Sequence, residues 1–264
     1  MQAVAVDGAG AVAAAGYFQR YPATFGVVAL INSGEHNAVV WKQSAEGTTL
    51  WAVRGGGTRR AGLYGVVVDS AGAVVAAGDF NTSPSTFGGV TLTTAGDGPD
   101  AVLWKMNTDG TTLWAVGGGG TGYSDNLYGV AVDGTDAVVA AGSFDSSTAT
   151  FGGEALATVG GSDAGLWTVS AEGTTLWAVR GGGTSSDHLE GVAVDDANAV
   201  VAAGPSFIEI NAVPITWRGV SSSPYLRVHL DDGVRRRAAA GGAVPDIARH
   251  VIQRSFIPCC SGAS

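Results

Sequence analysis

Four aspartates, Asp7, Asp69, Asp133 and Asp195, recur at spacings of 62, 64 and 62 residues, each at the end of a Val-Asp step. Carboxylates at one place of a repeat could ring an axis and bind Ca²⁺, which takes oxygen ligands. The plainer reading is that each Asp caps the turn that follows it by bonding its own backbone, and this is the reading we favour. Four histidines, His36, His188, His229 and His250, show no metal-ligand spacing, and His36 and His188 fall at different points of the repeat. Cys259 and Cys260 are adjacent, which makes neither a disulfide framework nor a spaced metal site. Glycine triplets at 55–57, 117–119 and 181–183 are not phosphate loops, since no Gly-Lys-Ser/Thr follows them. They read as flexible crossovers between repeats. With no Gly-x-Ser-x-Gly elbow and no distinct Ser, His and Asp set, no catalytic, cofactor-binding or metal-ligating residue is expected.

The elements that carry these residues repeat as well. Gly-Thr-Thr-Leu-Trp-Ala-Val occurs at 47–53, 110–116 and 173–179, and Thr-Phe-Gly at 24–26, 86–88 and 150–152. Each repeat therefore holds two tryptophans: Trp41 and Trp51, Trp104 and Trp114, Trp167 and Trp177. In the unit from Leu127 to Val179, alternating small and large residues predict four short antiparallel strands. Glycine is 42 of 264 residues, which excludes a helical bundle, and 37 of those 42 lie before residue 205. A sheet of this kind is apolar on both faces, so it must stack on its neighbours. The six tryptophans are the expected bolts between stacked sheets, each large enough to contribute a few kcal/mol by burial.

The order Gly-Val-Ala-Val-Asp, Phe-Gly-Gly, Trp-Lys, Gly-Thr-Thr-Leu-Trp resembles the seven-bladed β-propeller repeat family over residues 1–204. The resemblance implies an all-β fold of four-stranded antiparallel blades, an extracellular or cell-surface setting, and no general catalytic set. The turns Ser44-Ala45-Glu46-Gly47 and Asn107-Thr108-Asp109-Gly110 are similar to quinoprotein docking motifs and sialidase Asp boxes. Their spacing fits neither, and an acidic hairpin turn suffices.

Blades are expected at about 1–57, 58–120 and 121–183, with a partial one at 184–204. This makes an incomplete propeller whose exposed blade faces self-associate. Residues 205–264 leave the pattern. Charge shifts with it: the array has 7 basic against 19 acidic residues, a net of −12, and the tail 7 against 4, a net of +3. The tail reads as a non-repeat segment, disordered or a gene-model artefact. The overall charge of −9 argues against nucleic acid, and no apolar run is long enough for a membrane span. No signal peptide is visible at Met1. The expected function is a non-catalytic binding or structural scaffold for a protein or glycan, with specificity in the loops 79–85, 120–126, 145–148 and 184–189. The alternatives are a fragment of a propeller enzyme, hydrolase or quinoprotein-like, and a truncated product without function.

Overall fold

Three successive repeats fold the same way, and a fourth begins. The computed structural model describes residues 1–19, 22–195 and 198–204, with the backbone of 226–230. The first repeat runs β1 (Ala3–Val6), β2 (Val12–Phe18), a short hairpin β3 (Ala23–Phe25) and β4 (Val28–Leu30), then β5 (Asn37–Gln43) and β6 (Thr49–Gly56). The second runs β7 (Ala61–Val68), β8 (Val74–Phe80), β9 (Ser85–Phe87), β10 (Val90–Leu92), β11 (Asp100–Met106) and β12 (Thr112–Gly120). The third runs β13 (Asp125–Val132), β14 (Val138–Phe144), β15 (Ala149–Phe151), β16 (Glu154–Leu156), β17 (Asp163–Val169) and β18 (Thr175–Gly181). β19 (Gly191–Val194) and β20 (Val200–Gly204) open the fourth, and β21 (Leu226–Leu230) pairs parallel to β20. The fold is all-β, with several antiparallel sheets. The expectations for the rest of 205–264 lie outside the described residues.

In each repeat the four long strands pair in chain order, as β1-β2-β5-β6, β7-β8-β11-β12 and β13-β14-β17-β18. Antiparallel meanders of this kind need tight turns, and the sequence supplies left-handed residues where they are required. The turn after the first strand has Gly10 at φ 81°, Gly72 at 80°, Asp136 at 61° and Asn198 at 59° in successive repeats. Asn and Asp are the side chains that tolerate this conformation best.

The short hairpins do not stay with their own sheets. β9 pairs with β6 of the preceding repeat, placing Phe87 opposite Gly55 and Thr86 opposite Gly56. β15 pairs in the same way with β12, placing Phe151 opposite Gly118 and Thr150 opposite Gly119. The first two sheets thereby gain a fifth and sixth strand. The glycine triplets at 55–57 and 117–119 are consequently strand ends rather than flexible crossovers. A side-chain carbon at Gly55 would lie 2.2 Å from Phe87 Cδ1, and one at Gly118 2.5 Å from Phe151 Cδ1. Only glycine lets the phenylalanine ring cross the strand there.

Both faces of the second and third sheets pack on neighbouring repeats, and alternate residues of one strand feed different cores, whereas Val4 and Val6 stand exposed on the outer face of the first sheet. Val74 and Ala76 pack with Ala13, Val40 and Trp51 of the first repeat. Their neighbours Val75 and Ala77 pack with Val138, Ala140 and Phe144 of the third. A third cluster joins Val139, Ala141 and Leu166 to Leu189, Val200 and Ala202 of the fourth. The core is thus a series of seams between repeats.

Candidate functional site

The strands alternate in direction, so the connections sort to two ends. One end carries the tight turns, among them 7–11, 69–73 and 133–137. Asp7 Oδ1 accepts from the Ala9 and Ala11 amides at 3.0 and 2.9 Å. Asp69 Oδ1 accepts from Ala71 and Ala73, Asp133 Oδ1 from Thr135 and Ala137, and Asp195 Oδ1 from Ala199. Each carboxylate therefore closes its own turn. The second oxygen meets a buried lysine in two repeats, Lys42 with Asp7 at 3.1 Å and Lys105 with Asp69 at 2.8 Å. The Lys42 hydrogen bond holds the Asp7 carboxyl below its usual range. The same lysines reach the next repeat, Lys42 Nζ donating to the Gly72 carbonyl and Lys105 Nζ to the Ala171 carbonyl. Asp136 and Asn198 reach back, accepting from the Ser70 and Gly134 amides of the preceding repeat. Among the described residues, no group of three or more His, Cys, Asp or Glu is arranged to hold a metal.

Trp51, Trp104, Trp114, Trp167 and Trp177 line the seams, whereas Trp41 is half-buried outside them and meets Phe25 of its own repeat. Trp104 and Trp167 are fully buried, and their indole N–H donates to Thr112 and Thr175 of the same repeat, as Trp41 donates to Thr49. The outer tryptophans bond across repeats, Trp51 to the Thr108 carbonyl at 2.7 Å and Trp114 to the Ala171 carbonyl at 2.9 Å. Their rings lie on turn glycines of the next repeat, where a side-chain carbon at Gly110 or Gly173 would stand within 3 Å of the indole. Trp177 is half-buried at the edge of the third seam.

The other end gathers the loops that differ between repeats, and it holds an open groove of about 930 Å³. Glu35, Arg59, Arg60, Asn81, Asp97 and Tyr123 line it. The groove draws on loops 79–85 and 120–126. Loop 145–148 braces the latter, since Ser146 Oγ accepts from the Gly122 amide and Asp145 from the Ser124 amide. Tyr123 is 86% exposed, the most open aromatic among the described residues. Arg60 is fixed from behind by Asp79, its Nη2 lying 3.4 Å from Oδ2. Tyr64 Oη donates to the other oxygen of Asp79 at 2.5 Å. Burial pushes the carboxyl of Asp79 and the phenol of Tyr64 upward, while the carboxylate raises Arg60.

Behind the groove stand buried carboxylates that the sequence reading did not single out. Asp100 Oδ2 accepts from the Ala95 amide, and Asp125 Oδ2 from the Gly120 amide and Ser146. One step along, Asp163 Oδ2 accepts from the Val159 amide and Arg180, and Asp187 Oδ2 from the Gly183 amide. Oδ1 of Asp100, Asp163 and Asp187 is buried without a hydrogen-bond partner. Burial, with the Asp125 charge adding to it, raises Asp100 to about 6. These residues also carry a repeat signal: Asp100 and Asp163 are 63 apart, and Asp125 and Asp187 are 62 apart.

Compared with known proteins, the chain matches no family profile and no curated protein. No helix among the described residues is long and apolar enough to cross a membrane. The geometry therefore has to carry the functional reading. An exposed aromatic ring beside two arginines, two acids and an amide can hold a polar ligand by stacking and hydrogen bonding.

Proposed function

We propose that the chain is a non-catalytic repeat scaffold of the β-propeller type, related to the seven-bladed repeat family, and that its loop end binds a carbohydrate. The observation that supports this is the groove, where loops that differ between repeats meet on strands that do not. Its lining suits a sugar: Tyr123 offers a ring face, and Arg59, Arg60, Asn81 and Asp97 offer planar polar groups to hydroxyls. The succession of sheets joined by buried seams suits a rigid scaffold that displays variable loops.

The test is a panel of neutral and acidic oligosaccharides screened against the full chain, with Tyr123→Ala and Arg59→Ala as variants. Both residues lie in the groove lining, so neither change should alter the melting temperature. Binding of at least one glycan that weakens about tenfold in either variant supports the assignment. A panel without a binder, or binding indifferent to both substitutions, refutes it.

A further inference from the structure

Two of the buried carboxylates behind the groove meet across the second seam. Asp100 opens β11 of the second repeat, and Asp125 opens β13 of the third. They are 4% and 1% exposed. A side-chain carbon at Gly119 of β12 would stand 2.6 Å from Asp100 Oδ1 and 2.7 Å from Asp125 Oδ2. The two oxygens therefore converge on one point. Asp100 Oδ1 reaches it buried and without a hydrogen-bond partner. Among the described residues no basic side chain forms an ion pair with either acid. Two ionised carboxylates this close in a buried site are costly unless a positive charge joins them.

The equivalent places in the other seams show how that charge is otherwise met. In the first seam Asn37 and Ala61 meet at Gly56, and neither is charged. In the third seam Asp163 and Asp187 meet at Gly182, and Arg180 pairs with Asp163 at 2.8 Å. Arg54 and Arg180 hold the same register on their strands, opposite Val39 and Gly165. The second repeat has Gly117 there, opposite Val102. The second seam keeps both acids and lacks the arginine.

We propose that Asp100 and Asp125 form a Ca²⁺ site that ties the second repeat to the third at the loop end. Oδ1 of Asp100 and a carboxylate oxygen of Asp125 are its side-chain ligands. Ca²⁺ suits them because it is a hard cation that takes oxygen ligands in flexible number and geometry. Water supplies the remaining positions from the groove, which the adjoining Pro99 and Ser124 line. Two carboxylates make a weak site, so a Kd of about 0.1–1 mM is expected. The site stands on the seam and does not depend on what the groove binds.

The experiment is a calorimetric titration of Ca²⁺ into the chelator-treated full chain at pH 7, with the melting temperature followed in parallel. At that pH Asp100, raised to about 6, can ionise. Saturable binding of one ion per chain and a rise in melting temperature with Ca²⁺ are expected. Asp100→Asn, which copies Asn37, should weaken binding about tenfold or more. Gly117→Arg keeps both ligands and supplies the arginine of the other repeats, so it should weaken binding as much through charge alone. Asp100→Asn keeps the test decisive if Gly117→Arg unfolds. Asp163→Asn, in the third seam, should leave the affinity unchanged. No heat at about 10 mM Ca²⁺, which would mean that a proton or water holds the pair, would overturn the proposal. So would binding that Asp100→Asn leaves intact.

Discussion

Lys105 shows how much one side chain can connect. Its ammonium is buried, pairs with Asp69 at 2.8 Å and donates to the Ala171 carbonyl of the next repeat. Lys105→Met strands the buried Asp69 carboxylate and should cost about 3–5 kcal/mol in urea unfolding. The third repeat has Thr168 at the equivalent place, with its hydroxyl buried and unpartnered. Thr168→Val keeps the shape and removes the orphan, so a gain of about 1 kcal/mol is expected in the same assay. Asp100 gives a pH signature. Its folded pKa, about 6, lies above the ordinary 3.8, so its contribution is fully present below about pH 4 and is lost as pH rises through 6. Asp100→Asn, which copies Asn37 of the first repeat, should raise the melting temperature at pH 7. It should also flatten the decline between pH 4 and 7. An unchanged pH profile would mean that the carboxyl is solvated.

At the scale of elements, the donated hairpin is the main discovery of the fold. Gly118→Val would drive a side chain into Phe151, with an expected cost of about 1–3 kcal/mol from overpacking. Hydrogen exchange should then show protection lost over residues 149–156 and kept in β13 and β14. The long strands were legible from sequence because residues such as Val130 and Val132 alternate with Gly129 and Ala131. The aspartate turns were legible because Asp bonds its own backbone locally. The hairpin's destination was not. Ser85–Leu92 is too short to carry a period, and its partner Gly55 lies about thirty residues upstream. For the same reason the triplets at 55–57 and 117–119 resembled loops: what requires glycine at Gly55 and Gly118 is a phenylalanine from the next repeat. The buried carboxylates were visible only as recurrences at 62 and 63 residues, without a local motif to mark them.

For the whole molecule, stability should be graded along the chain rather than shared evenly. The second repeat lies between two seams and carries added strands on its outer edge. Its amides, especially in β8 and β11, should exchange most slowly. Those of β3, β4, β19 and β20 should exchange fastest. Trp104→Ala should cost about 3–5 kcal/mol and speed exchange in repeats one and two while sparing β14 and β17. Uniform slow exchange from β1 to β20 would contradict this gradient.

The donated hairpin also bears on how such a gene can change. The outer strands β6 and β12 each accept a hairpin of the same design, passed back by the repeat that follows. Excising one full period from the gene therefore leaves donor and acceptor matched: with 63 residues gone, Phe151 would face Gly55 as Phe87 did. A deletion of half a period would leave a ring without its glycine. Unequal recombination between repeats can then lengthen or shorten the array without breaking a single joint, so repeat number is free to drift while the joint itself is held fixed.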